Sequence, residues 1–161
     1  MTDLFNDPRL TYSGLLLEAS GGLVDRMQPV LKEHGLSGLD LNALMRLSRS
    51  PGQRLRMTDL AAQIRLSTSG VTRLMDRLAR SGLAEREACA EDRRTTYAVL
   101  TPAGAERLEQ VLPSYLDFIE RWFTGVLTSD QLASLADGLR IVRDTVHPEA
   151  AALTPDETSG S

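Results

Sequence analysis

The sequence predicts a mainly α-helical protein with one β-hairpin, in which a winged helix-turn-helix is flanked by N- and C-terminal helices. Two short segments, 57–64 and 71–78, repeat apolar residues at i, i+3, i+4 and i+7 and are separated by a tight turn. Two strand-like segments, 83–87 and 95–100, follow directly and are joined by a seven-residue loop. A hairpin at this point in the chain is the wing of a winged helix, so the order of the elements predicts the fold class.

The composition limits the classes of protein to which this chain can belong. Its 161 residues are 42% hydrophobic and 25% charged, which is enough to form a packed core. No apolar run is long enough to span a bilayer and the N-terminus lacks a signal-peptide pattern, so we expect a cytoplasmic protein. The sequence has no phosphate-binding loop, Ser-His-Asp set or HExxH motif, which argues against an enzyme. We expect no metal and no cofactor, because a single cysteine, Cys89, cannot form a zinc site and the two histidines lie at opposite ends of the chain.

The first helix is predicted from residue 8 to about residue 33. Asp7 and Pro8 form a typical helix start, in which an N-cap is followed by proline at the first helical position. Gly21, Gly22 and Pro29 lie inside the apolar pattern, so we expect them to weaken or kink this helix.

Three cap motifs predict where the other long helices begin. The capping box SGLD at 37–40 precedes the second helix, and the capping box TSDQ at 128–131 precedes the last one. Thr101 and Pro102 open a long helix directly after the hairpin. The polar stretch from residue 148 onward contains proline and serine, a composition that predicts disorder.

The second helix of the helix-turn-helix has a polar face suited to DNA. Its first turn, STSG at 67–70, carries small hydroxyl side chains and free backbone N–H groups, which suit phosphate and base-edge contacts. Arg73, Arg77 and Arg80 are spaced at i, i+4 and i+7 and therefore share one face, and Asp76 is expected to form salt links with the first two. Each feature alone is typical of a solvated helix, whereas their combination favours DNA binding.

Charge is distributed unevenly along the chain. The net charge of −4 and the isoelectric point of about 5.2 argue weakly against a nucleic acid partner. Residues 54–97 nevertheless contain nine arginines and six acidic residues, so a basic face lies on an acidic body. Arg93 and Arg94 lie at the predicted hairpin tip, where arginines gain most from the strongly negative minor groove. Asp92 is close enough in sequence to hold the guanidinium of Arg94 and fix its direction.

Two stretches, RMTDLAAQIRLSTSGVTRLMDRLARSGLAERE and EDRRTTYAVLTPAG, resemble the winged helix of the MarR (multiple antibiotic resistance regulator) family of bacterial transcription factors. The second stretch contains a D-x-R wing, Asp92 and Arg94, followed by a strand and then by Leu100, Thr101 and Gly104. The resemblance extends less sharply over residues 10–147.

This resemblance implies a sequence-specific transcription regulator that binds double-stranded DNA, usually as a repressor. It implies an obligate homodimer, a pseudo-palindromic operator, and release by a small phenolic or anionic ligand in the cleft between the dimer helices and the winged helix. The DNA contacts that it implies are Ser67, Thr68, Ser69, Thr72, Arg73 and Arg77 of the recognition helix and Arg94 of the wing, with Asp92 orienting Arg94; Arg93 is added because of its place at the hairpin tip.

The apolar surface of the last two helices independently supports a dimer, because it exceeds what one small winged helix can cover. The residues concerned are Leu116, Ile119, Trp122, Phe123, Leu135 and Leu139. We therefore divide the chain into a helical dimerisation region at 10–36 and 102–147, a winged helix-turn-helix DNA-binding domain at 37–101, and a disordered tail at 148–161.

Two alternatives stay open at this point: a winged helix that serves only as a protein-interaction module, and a ligand-independent activator. The sequence does not determine the effector. Tyr12, Met45 and Arg49 could border a ligand cleft, and Cys89 is interpreted as an incidental thiol in the wing.

Overall fold

The computed structural model describes residues 4–153 and has the predicted fold class. The helices and strands are α1 (Pro8–Glu33), α2 (Gly38–Arg49), β1 (Arg54–Arg56), α3 (Met57–Gln63), α4 (Thr68–Arg80), β2 (Ala84–Ala88), β3 (Thr96–Leu100), α5 (Pro102–Trp122) and α6 (Ser129–Val146). Short 3-10 turns lie at Leu4–Asn6, Pro51–Gln53, Thr124–Val126 and Pro148–Leu153. Within residues 4–153, no helix is both long and apolar enough to cross a membrane.

The helix starts follow the cap motifs of the sequence. Both predicted capping boxes are present: at α2 the Ser37 hydroxyl accepts the Asp40 N–H, and at α6 the Thr128 hydroxyl accepts the Gln131 N–H. Thr101 caps α5 by accepting the Gly104 N–H. The predicted N-cap at Asp7 is confirmed, and α1 runs as one helix through the two glycines and the proline that were expected to weaken it.

The core is built by the winged helix-turn-helix together with the end of α1 and the start of α5. The apolar face predicted for α4 is confirmed, since Val71, Leu74, Met75 and Leu78 are all at most 2% exposed. The other large side chains that are almost fully buried come from α1, α2, α3 and α5: Leu31, Leu44, Leu47, Leu60 and Val111. The core therefore packs against the apolar face of α4 and leaves the polar face of this helix exposed.

The predicted hairpin is confirmed, but it belongs to a three-stranded antiparallel sheet in the order β1-β3-β2. The sequence did not predict β1, because its three residues are too few to show alternation. This strand is defined only by its pairing with β3, on the edge of β3 away from β2. The register sets Arg56 opposite Tyr97 and Arg86 opposite the fully buried Ala98. The sheet therefore connects the start of α3 to the wing.

The prediction of disorder from residue 148 is wrong for Pro148–Leu153, which forms a 3-10 turn; residues 154–161 lie outside the described part of the chain. Arg46 donates a hydrogen bond to the carbonyl of Ala150 over 2.9 Å, and Ala150 is only 8% exposed. His147 Nε2 lies 2.9 Å from the carbonyl of Ala62 at the end of α3. Composition alone suggested disorder because these partners come from distant parts of the chain.

Helices α1 and α6 are only weakly buried within this chain. Of the 26 residues of α1 only Leu31 is buried, and α6 buries none of its 18 residues. Large apolar side chains are exposed along these helices and α5: Leu15, Leu16, Leu17, Val24, Leu116, Leu135, Leu139, Val142 and Val146. Exposed apolar surface of this extent is typical of a protein–protein interface.

Candidate nucleic-acid interface

The exposed face of α4 begins with the small hydroxyl residues that the sequence predicted. Ser67 is the N-cap, and its Oγ accepts the Gly70 N–H over 3.1 Å and lies 3.2 Å from Ser69 Oγ. Thr68 and Ser69 are exposed, and Thr72 donates its hydroxyl hydrogen to the carbonyl of Thr68 over 2.8 Å. Ser67 is thus occupied as a cap, whereas the first turn around it is open to solvent.

Arg73 and Arg77 share the exposed face of α4 but differ in their partners. In the described part of the chain, Arg73 is exposed and its side chain has no hydrogen-bonding or ion-pair partner. Arg77 donates Nε–H and Nη2–H to Oδ1 of Asp40, over 3.0 and 2.6 Å. Of these two arginines, Arg73 has all its donors free within residues 4–153, whereas Arg77 has two of them bound to Asp40.

Arg86 was missed as a site residue, and it connects the wing to α4. Its Nη2 donates to the carbonyl of Thr72 over 2.9 Å, and its Nη1 forms an ion pair with Asp76 over 2.8 Å. The expected salt links from Asp76 to Arg73 and Arg77 are therefore replaced by a link to β2. Strand alternation could have revealed this, because Arg86 follows the buried Ala84 by two residues and lies on the same side of the sheet.

The wing tip is organised by Asp92, although not in the way that the sequence suggested. One carboxylate oxygen accepts the backbone N–H of Arg94 over 3.0 Å, and the other accepts the hydroxyl of Thr95 over 2.8 Å. These two hydrogen bonds hold the pKa of Asp92 below its usual range. The predicted bond from Asp92 to the Arg94 guanidinium is wrong: a carboxylate two residues upstream closes a tight turn on the backbone instead. The side chains of Arg93 and Arg94 remain exposed and, within residues 4–153, unpaired.

A cleft of about 320 Å³ lies between α4 and the wing. Three arginines, Arg56, Arg86 and Arg94, line it together with four threonines and Met57. A hydrogen bond to Tyr97 raises the pKa of the Arg56 guanidinium. Of the predicted site residues, Thr72 and Arg94 meet in this cleft, whereas Arg73, Arg77 and Arg93 do not line it. Guanidinium and hydroxyl donors around a concave surface form a site for an anionic oxygen group, such as a phosphate or a carboxylate.

Other candidate residues do not form a site in the described part of the chain. Within residues 4–153, no group of three or more His, Cys, Asp and Glu side chains could hold a metal ion. Tyr12 is 70% exposed on α1, whereas Met45 packs against the core. Arg49 is exposed near Tyr115, whose pKa is raised by burial and only partly lowered again by that charge.

The fold and the basic cleft together define a winged helix-turn-helix with an exposed recognition helix and an arginine-bearing wing, the architecture of proteins that read duplex DNA. A family model described as MarR family matches residues 34–95. Two solved structures from Streptomyces coelicolor are similar over most of the chain. AbsC, a MarR family transcriptional regulator, is 30% identical with a TM-score of 0.82, over 89% of this chain and 97% of AbsC. Sco3205, a MarR family transcriptional regulator solved in complex with DNA, is 32% identical with a TM-score of 0.80, over 90% of this chain and 91% of that one.

A curated relative gives a shorter match. The HTH-type transcriptional repressor YetL of Bacillus subtilis is 36% identical over 93 residues, which are 58% of this chain and 56% of YetL. The chain thus spans little more than half the length of that relative. With two solved MarR regulators matched over nearly their whole length, the chain belongs to the MarR family of transcriptional regulators.

Proposed function

We propose that this protein is a homodimeric repressor that binds a pseudo-palindromic operator in double-stranded DNA and is released by a small anionic or phenolic ligand. The observation that carries the proposal is the convergence of α4 and the wing on one arginine-lined cleft. If the polar face of α4 were merely solvated, nothing would require arginines from β1, β2 and the wing tip to lie beside it. Duplex DNA is the polyanion whose grooves match a helix with a flanking hairpin.

In this proposal α4 lies in the major groove. Thr68 and Ser69 at its N-terminus approach phosphates and base edges, with the helix dipole adding attraction for anionic groups. Arg73, which has no partner in the described chain, is the residue best suited to pair with a guanine, because its fork matches O6 and N7 of that base.

The wing contributes affinity more than sequence reading. Arg93 and Arg94 are exposed at its tip and would enter the minor groove or bind its phosphates. Arg56 and Arg86 also line the cleft, where a backbone phosphate would meet both guanidinium groups. Asp92 acts on this surface through the backbone of Arg94, by fixing the turn that carries the arginine.

The dimer would form through α1, α5 and α6. The dimer is supported by the absence of buried residues along the whole of α6 and by the exposed leucines and valines of α1, α5 and α6. A two-fold dimer presents two α4 helices to successive major grooves, which fits half-sites about 10 base pairs apart.

Repression and ligand release rest on two observations. YetL, 36% identical over the matched residues, bears the name of a transcriptional repressor. The cleft can accept a small anion in the position that a DNA phosphate would need, so a carboxylate or phenolate ligand would compete with DNA. This site between α4 and the wing is an alternative to the cleft between the dimer helices and the winged helix that the family resemblance implies.

Fluorescence anisotropy tests the proposal directly. The protein is titrated onto duplexes that tile the intergenic DNA upstream of its own gene and onto a scrambled duplex, at several salt concentrations. We expect selective binding with a steep negative slope of log affinity against log salt, because each neutralised phosphate contributes about −0.9 to that slope. The absence of binding to every duplex at low salt would contradict the proposal and favour a protein-interaction module.

Two variants separate the roles of wing and helix. Arg94→Ala is expected to weaken binding to all duplexes. Because each protomer of the dimer loses one phosphate contact, the magnitude of the salt slope should fall by about 2. Arg73→Ala is expected to cost about 1–3 kcal/mol on the preferred duplex and much less on the scrambled one. Lys32→Ala is the matched control, because it removes an exposed positive charge from α1, outside the cleft. Equal binding by all three variants and the unchanged protein would refute the assignment of these contacts.

A further inference from the structure

Asp40 connects the start of α2 to the exposed face of the recognition helix. Its side chain is only 8% exposed, whereas that of Arg77, its partner on α4, is 45% exposed. An aspartate at the third position of a capping box normally serves its own helix alone. Here its second oxygen is used by a residue 37 positions away in sequence.

Both oxygens of the Asp40 carboxylate are engaged. Oδ2 accepts the backbone N–H of Ser37 over 2.8 Å and the hydroxyl of Ser37 over 2.7 Å. Oδ1 accepts two N–H groups of the Arg77 guanidinium, Nε–H over 3.0 Å and Nη2–H over 2.6 Å. The carboxylate is therefore fixed by the helix cap, and it fixes the plane of the guanidinium in turn.

Arg77 keeps donors for a second ligand. A guanidinium carries five N–H donors, and Asp40 takes two of them, which leaves both hydrogens of Nη1 and one of Nη2. Because the side chain is almost half exposed on the same helix face as Arg73, these donors are open to a ligand on that face. A preoriented fork loses less conformational freedom on binding than a mobile one.

We propose that Asp40 is a positioning residue for sequence recognition: it holds the Arg77 guanidinium, and through it α4, in the orientation that reads the operator. This inference rests on the proposed DNA-binding function. It assigns Arg77 a share in selectivity that depends on a buried carboxylate of α2, outside the two helices, α3 and α4, of the helix-turn-helix motif.

The role of Asp40 can be distinguished from that of a simple surface charge. Removing a negative charge beside the DNA-binding face should by electrostatics alone strengthen binding to every duplex. Loss of positioning should weaken binding to the operator only. The two effects have opposite signs on the operator, so the ratio of operator affinity to scrambled-DNA affinity reports positioning.

The experiment compares Asp40→Asn with the unchanged protein on two duplexes, one that the unchanged protein selects from a random library and one scrambled. We expect operator affinity to fall about tenfold, the size of one good base contact, while affinity for scrambled DNA is unchanged or rises. A change by the same factor on both duplexes, or no change on either, would overturn the inference. If the unchanged protein selects no sequence at all, the proposed function itself fails, and that outcome is visible before any variant is made.

Two further variants keep the test decisive. Gln131→Ala removes the corresponding third residue of the α6 capping box, so it matches the loss of helix capping without touching α4, and we expect it to leave the affinity ratio unchanged. Arg77→Lys keeps the charge but not the paired donors, and it covers the case in which Asp40→Asn does not fold. It should lower operator affinity about tenfold at an unchanged salt slope. An unchanged ratio for a folded Arg77→Lys protein would also overturn the inference.

Discussion

Replacement of Gly104 by alanine is expected to destabilise the protein, although alanine is the better helix former. Gly104 lies in the first turn of α5, and a Cβ built on it would lie 2.0 Å from the carbonyl oxygen of Leu83 and 2.7 Å from Cδ1 of Leu100. The Leu83 carbonyl also accepts the N–H of Thr101, so it cannot move without loss of that bond. This close approach joins α5 to the start of β2.

The size of the effect follows from this geometry. Relief of the overlap requires a shift of about 1.4 Å, the difference between an ordinary contact at 3.4 Å and the 2.0 Å found here. Overpacking of this kind costs about 1–3 kcal/mol. Weakening of the Thr101 hydrogen bond adds about 1 kcal/mol to this cost. The higher helix propensity of alanine offsets at most about 1 kcal/mol of it. We expect a net loss of about 1–3 kcal/mol in the free energy of unfolding, or roughly 2–12 °C in Tm for a chain of this size.

Thermal unfolding followed by circular dichroism at one fixed protein concentration measures this loss, because the Tm of a dimer depends on concentration. Gly22→Ala is the matched control: it lies inside α1, and a Cβ there meets no atom within 4 Å. At that position the substitution changes only the helix propensity, so Gly22→Ala should raise the free energy of unfolding by up to about 1 kcal/mol. A Gly104→Ala protein that is as stable as the control would refute the close packing of α5 on β2.

Two further predictions concern the 3-10 turn that follows α6 and the half-buried Tyr115. Removal of residues 148–161 deletes the hydrogen-bond partner of Arg46, so we expect the free energy of unfolding to fall by about 1–2 kcal/mol. Amide hydrogen exchange in α3 should become faster, because the 3-10 turn at Pro148–Leu153 packs against that helix. Unchanged exchange in α3 would argue against this packing. Burial raises the folded-state pKa of Tyr115 above its unfolded value, so the stability that the neutral phenol contributes is present below about pH 10 and is lost as the pH rises through the folded pKa. Tm should therefore fall more steeply above pH 10 in the unchanged protein than in Tyr115→Phe, and parallel curves would contradict this.

Local signals in the sequence predicted most of the helices. Caps such as Ser37 and Thr128 act within three residues of their partners, so the sequence alone identifies them. The apolar spacing of α4 likewise determines which face is buried, because all its positions lie on one helix. The glycines and the proline of α1 were expected to weaken or kink this helix, yet α1 is one continuous helix. Helix propensity is a weak guide for a long helix.

The missed features all depend on contacts between distant residues. Strand β1 exists only by pairing with β3, and Arg86 joins the site only when the sheet is folded against α4. The same holds for Asp40 and Arg77, which lie 37 positions apart and were considered separately as a cap and a DNA contact. Asp92 was expected to bind a side chain, whereas the geometry of a tight turn brings its carboxylate to the backbone.

Selection from a random duplex library by the unchanged, full-length protein tests the central claim most directly. If two α4 helices of a dimer read DNA together, the enriched sequences should contain an inverted repeat with half-site centres about 10 base pairs apart. Mixing with excess scrambled duplex should leave that complex intact. Enrichment of no motif, or of a single half-site without two-fold symmetry, would contradict the account of a homodimer that reads an operator through α4 and the wing.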